Sequence, residues 1–192
     1  MKKTTTTEAK TTTTASASTP EAKLTTLLMK ASTLGPTFTE EAGDTTSGPG
    51  PCGADVDKAV APDYKVSKAY TSDKLQLAAQ QVIRVYSSSD VAGQAYTAFV
   101  KEVSCGAQGG GGTITLGTPT DITDQLGITG VQATAVTIKG ADSEGVGIVA
   151  TYADLVTTFQ FLGAPGAAEA AGAPSPVDIA KGEIQSIVDT IG

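Results

Sequence analysis

Between Leu75 and Tyr86 the apolar side chains fall at alternate positions, with Leu75, Leu77, Ala79, Ile83 and Val85 on one face and Gln80, Arg84 and Tyr86 on the other. A period of two predicts a strand covered on one side. A second extended stretch, Lys65 to Thr71, precedes it. The period then lengthens, because Ala92, Ala95, Tyr96, Phe99, Val100 and Val103 make one stripe of a helix running from about Asp90 to Cys105. Ser87, three residues before Asp90, supplies a start box for its free backbone N–H groups. Further beta-prone segments are Thr113–Leu116, Val131–Lys139, Gly145–Ala153 and Leu155–Leu162. Turn residues at Ala141 to Gly145 and at Ala153-Asp154 join the last three as consecutive antiparallel strands. After a Gly/Ala/Pro linker from Pro165 to Pro174, Ser175 and Pro176 open a closing helix with Val177, Ala180, Ile184, Ile187, Val188 and Ile191 on one stripe. The fold class that accounts for these elements is α+β: a twisted antiparallel sheet packed against two amphipathic helices, both on one face.

The ends and loops divide the chain. Thr4 to Thr19 contains no residue larger than Thr that could be buried, and such a stretch cannot offset its ordering entropy. Residues 1–23 are therefore expected to be a disordered Thr-rich tether, open to O-glycosylation, and residues 24–192 a single folded domain. Folding starts near Leu24, with Leu27 and Leu28 at helical spacing and Gly35-Pro36 as the stop. A short extended piece over Thr37 to Glu40 follows, then a Gly/Pro/Ser-rich loop from Gly43 to Gly53 that carries Cys52. No apolar run reaches the roughly 18 residues that span a bilayer, and Met1-Lys2-Lys3 leads into threonines, so neither a transmembrane segment nor an export signal is expected in this chain.

Composition narrows the chemistry. The 192 residues carry a net charge of −7, and the cations are twelve Lys and one Arg. No basic stripe exists for a phosphate backbone, so nucleic acid is not an expected partner. With no His, the Ser-His-Asp and Cys-His nucleophile systems and His-based zinc sites are excluded; with no Asn, so is N-glycosylation. No enzyme, cofactor or metal is expected.

Several constellations remain. Cys52 and Cys105 are too distant for a redox C-x-x-C pair and too few for a metal shell, which leaves a disulfide or two free thiols. A bridge over so long a loop would stabilise the fold by about 4 kcal/mol and place it outside the cytoplasm. The glycine run within Gln108 to Gly112 is followed by a strand rather than by Gly-Lys-Ser/Thr and a helix, so it is read as a surface loop and not a phosphate cradle. Asp121 with Asp124 and Asp142 with Glu144 match neither calcium-loop nor glycosidase spacing and are read as turn residues. Arg84, flanked by Gln80 and Tyr86 on the face opposite the apolar row, is the one cation placed to orient a polar ligand. If Phe159 and Phe161 pack on the helices, Gln160 points the other way and joins that open face. The lining suits a neutral or weakly anionic ligand, since one guanidinium cannot compensate several negative charges. An adhesive or structural display domain on a stalk is the alternative to a ligand-binding module.

The order of these elements resembles the PknH-like extracellular sensor domain family, found on mycobacterial receptor kinases and on actinobacterial lipoproteins and secreted proteins. The resemblance rests on LTTLLMKASTLGPTFTEEAGD, PGPCGADVDKAV, LQLAAQQVIRVYSSSDVAGQAYTAFVKEVSCG, GVGIVATYADLVTTFQFLG and PVDIAKGEIQSIVDTIG, covering about Leu24 to Gly192. It implies a sheet backed by two helices, a groove for an unidentified small molecule or cell-envelope component, no enzymatic activity and an extracellular or cell-surface location. Kinase-linked members carry two disulfides, whereas only Cys52–Cys105 is possible among these residues, and neither a kinase domain nor a lipidated cysteine is expected with it. The resemblance thus implies a free-standing sensor-type module, bridged between Cys52 and Cys105.

Overall fold

The computed structural model describes residues 20–105, 114–170 and 172–191. Residues 1–19 of the tether expected over 1–23, and the glycine run at 108–112, lie outside the described residues. The chain passes in order through α1 (Pro20–Thr25), α2 (Ala31–Leu34), β1 (Thr39–Ala42), α3 (Val56–Ala59), β2 (Tyr64–Ser72), β3 (Leu77–Val85) and α4 (Ser89–Glu102). It continues with β4 (Thr115–Leu116), β5 (Thr120–Asp121), α5 (Thr123–Leu126), β6 (Gln132–Lys139), β7 (Glu144–Tyr152), β8 (Leu155–Gly163), α6 (Ala167–Ala170) and α7 (Pro176–Ile191). Helix α1 begins at Pro20, ahead of the boundary expected after residue 23.

Among the described residues the strands form one antiparallel eight-stranded sheet in the order β1-β2-β3-β8-β7-β6-β4, with β5 also paired to β6. The fold is α+β, as the periodicity predicts. The β6-β7-β8 meander forms as expected, and β8 then closes the sheet by pairing along all of β3. Its β7–β8 turn holds Ala153 at φ 50°, a left-handed conformation unusual for a residue with a Cβ.

The helices do not share a face. Ile179, Ala180 and Ile184 of α7 join a core with Ala79, Ile148, Ala150, Phe159 and Phe161, whereas Ala92 and Ala95 of α4 pack with Val149 and Val156. Ile148 and Val149 are successive residues of one strand and point to opposite sides. The sheet is therefore covered by α7 on one face and by α4 on the other, which corrects the expectation of a single covered face. The reason is legible in β7 and β8: Ile148 and Ala150 are buried at one parity and Val149 at the other, Leu155 and Phe159 at one and Val156 at the other. Central strands buried on both sides read as near-continuous apolar runs.

Local chemistry sets the helix ends. The N-cap of α4 is Ser88, one residue later than expected, and its hydroxyl accepts from the Val91 N–H at 3.3 Å. Ser175 caps α7, its Oγ accepting from the Val177 N–H at 3.2 Å. On the α7 face the apolar row of β3 contains one amide. Gln81 is 0% exposed, and its Oε1 accepts from the Met29 N–H at 2.6 Å, fastening the α1–α2 segment to the sheet. The Tyr70 hydroxyl donates to the Met29 carbonyl from the same side.

Candidate functional site

The α4 face of the sheet is where the sequence-predicted polar residues lie. Gln80 and Gln160 are directly paired across β3 and β8, and Gln160 is in turn paired with Gly147 of β7. With Arg84, Thr158, Phe99 of α4, Val103 at the C-cap of α4 and Pro51 from the cysteine loop, they line a groove of about 310 Å³. This is within the size range of small-molecule sites. Gly147 leaves the floor open, since it places no side chain opposite Gln160. Tyr86, expected in the same group, is not among the lining residues. It is buried beneath α4 with Ala92 and Ala95, and its hydroxyl has no hydrogen-bond partner among the described residues. Burial raises its pKa above the usual phenol value.

Arg84 is in the groove wall, but it is not the solvated cation the alternation implied. It is 7% exposed. Its Nε donates to Asp57 Oδ1 at 2.7 Å and its Nη2 to Asp57 Oδ2 at 3.4 Å, a bidentate arrangement, while Nη1 donates to Thr158 Oγ1 at 3.2 Å. The guanidinium carbon stands 4.6 Å from the Phe99 ring centroid, a cation–π contact. Lys65, the register partner of Arg84 on β2, donates to Asp57 Oδ2 at 2.5 Å. Burial works against the Asp57 charge, but the hydrogen bonds and positive charges of Arg84 and then Lys65 outweigh it and hold its pKa below the usual carboxylate value. Arg84 is thus chiefly a structural partner of α3. Of the five N–H groups a guanidinium carries, three are engaged in these bonds, which leaves two for a ligand.

The rim is fixed by two links between the cysteine loop and the end of α4. Cys52 and Cys105 form a disulfide, with their Cα atoms 5.9 Å apart. Beside it Glu102, 6% exposed, accepts from the Cys52 N–H at 2.6 Å and from the Ala54 N–H at 3.2 Å. A carboxylate buried at a helix end needs such donors, and here they hold Pro51 over the groove.

Asp57 and Glu102 are the residues that sequence reasoning missed. The signal for an acid was present: a lone Arg on a strand bearing Val82, Ile83 and Val85 needs an anionic partner if the strand is central. Which acid supplies it depends on the path of the cysteine loop. Of the acids read as turn residues, Asp121 behaves locally, whereas Glu144 opens β7 and reaches the segment after β8. Asp121 accepts from the Thr123 N–H at 2.8 Å, which lowers its pKa, and Glu144 accepts from the Gly166 N–H at 2.7 Å.

A crystal structure of the extracellular domain of PknH from Mycobacterium tuberculosis superimposes on 90% of this chain and 96% of its own, with a TM-score of 0.61 at 12% sequence identity. This fold resembles that of the PknH extracellular domain. No protein-family model matches the chain, and no curated protein matches it in sequence. The likeness to the PknH domain is therefore one of fold, and the groove residues are argued from their own geometry. No helix among the described residues is long and apolar enough to cross a membrane.

Proposed function

We propose that this chain is an extracytoplasmic, non-enzymatic ligand-binding module of the sensor type, preceded by the Thr-rich N-terminal segment, and that its ligand sits in the α4-face groove. The observation that carries this reading is the convergence of Gln80, Gln160 and Arg84 on one recess with apolar walls. Among the described residues Gln80 Nε2 donates to Ser67 Oγ at 3.2 Å, so its Oε1 and the whole Gln160 amide are available to a ligand. With the Arg84 charge matched by Asp57, the groove favours a neutral or weakly anionic molecule bearing amide or hydroxyl groups. The fold it shares with an extracellular domain and the disulfide, a bond of oxidising compartments, both support the location.

Native mass spectrometry of the protein exported by its own host tests this. The expected result is a co-purified small molecule that is lost when Gly147→Val fills the groove floor. A Cβ at Gly147 meets only Val136 Cγ1 at 3.3 Å and Ile138 Cδ1 at 3.5 Å, so the fold accommodates the change with small side-chain shifts. A wild-type protein that carries no molecule and self-associates through this face would favour the adhesive-display alternative.

A further inference from the structure

The opposite face of the sheet holds a second cavity, of about 320 Å³, roofed by the Gly/Ala/Pro segment between β8 and α7. Its walls are Leu34, Phe38, Leu77, Val146, Phe161 and Ile179. The roof is anchored at two points. The Ala164 N–H donates to the Gln76 carbonyl at 3.3 Å, and the Gly166 N–H donates to Glu144 Oε1 at 2.7 Å. Among the described residues of the roof, those that line the cavity carry small side chains, Ala164, Ala168 and Ala173 with Pro174. This composition is what leaves the space unfilled: larger side chains at the same positions would occupy it.

We propose that this cavity binds the aliphatic chain of a neutral, single-chain amphiphile. An apolar cavity gives water no partners and is filled by apolar matter. At ~30 Å³ for each methylene, close to the share of a liquid water, the volume holds a chain of roughly ten carbons. The polar end is assigned by the rim. Among the described residues lining the cavity, Lys139 and Glu144 are the charged ones, and they are register partners across β6 and β7, so their charges offset each other. A carboxylate or an ammonium placed there would meet one like charge for each unlike one and lose its hydration. A hydroxyl meets an ammonium donor on one side and the second oxygen of Glu144 as acceptor on the other. The site is separate from the α4-face groove, because the sheet itself lies between them.

Methyl-resolved NMR titration of the purified chain with decan-1-ol, sodium decanoate and decyltrimethylammonium tests both parts. Decan-1-ol is expected to saturate and to shift the methyls of Leu77 and Ile179 while leaving those of Val82 and Val149 in place. Ala168→Trp, on an exposed turn of the roof, and Ala173→Phe each put an aromatic ring into the cavity and should weaken decan-1-ol at least about tenfold, with unchanged Val82 and Val149 methyl positions confirming the fold. No saturable shift, undiminished binding in both variants, or shifts confined to Val82 and Val149 would each overturn the site. Tighter binding of decanoate or of the ammonium would overturn the neutral head group.

Discussion

Replacing Arg84 by Ala is expected to be severely destabilising, contrary to what its place on a polar strand face suggests. The substitution leaves the Asp57 carboxylate buried with Lys65 at 2.5 Å as its remaining charged partner and empties the space over the Phe99 ring. Removing one member of a buried ion pair costs about 3–5 kcal/mol, and the surviving Lys65 contact places this case near the lower end, at about 3 kcal/mol. In a domain of this size that lowers Tm by roughly 6–12 °C. The effect should appear as a shift in urea midpoint at constant slope, followed by circular dichroism with the disulfide intact. The acid limb gives a second readout. A lowered Asp57 pKa contributes stability that is present above the ordinary carboxyl value of 3.8 and lost as pH falls toward the folded-state value. Without Arg84 that value rises, so acid unfolding of Arg84→Ala begins at higher pH. The double variant Asp57→Leu/Arg84→Met removes both charges and should recover most of the loss. A single variant within about 0.5 kcal/mol of the parent would refute the buried-pair account and return Arg84 to the solvated face.

Three further outcomes are expected. Ala153→Gly relieves a left-handed residue at φ 50° and should raise the unfolding free energy by about 1 kcal/mol, read from the urea midpoint; a loss of stability would contradict the turn geometry. Burial raises the phenol pKa of Tyr70 and Tyr86 above the ordinary 10.0, so the folded state retains protons there that the unfolded chain releases. The stability these groups contribute is present below pH 10.0 and lost as pH rises beyond it, and tyrosinate absorbance should show them ionising only on alkaline unfolding. Non-reducing peptide mapping should recover a Cys52–Cys105 peptide, and reduction should cost about 4 kcal/mol. Two alkylatable thiols in the exported protein would sink that expectation.

Periods of two and 3.6 and the placement of Gly, Pro and Asp are local properties, and they made every strand but β5, and most of the turns, legible along the chain. Gln80 and Gln160 were legible as companions on one sheet face for the same reason: parity fixes the side to which each points once strand and register are set. The pairing of β8 with β3 depends on contacts between segments far apart in the chain, which no local pattern states; the folded molecule settles it. It also decided that α4 and α7 lie on opposite faces, since an amphipathic stripe states that a helix is covered but not by which surface. Arg84 shows the difference most clearly. Its alternation with apolar residues determined its face, while its burial and its bond to Asp57 arise because the cysteine loop, held by Cys105 and Glu102, carries α3 over the sheet. Tyr86 left the groove for the same tertiary reason, as α4 packs directly upon it.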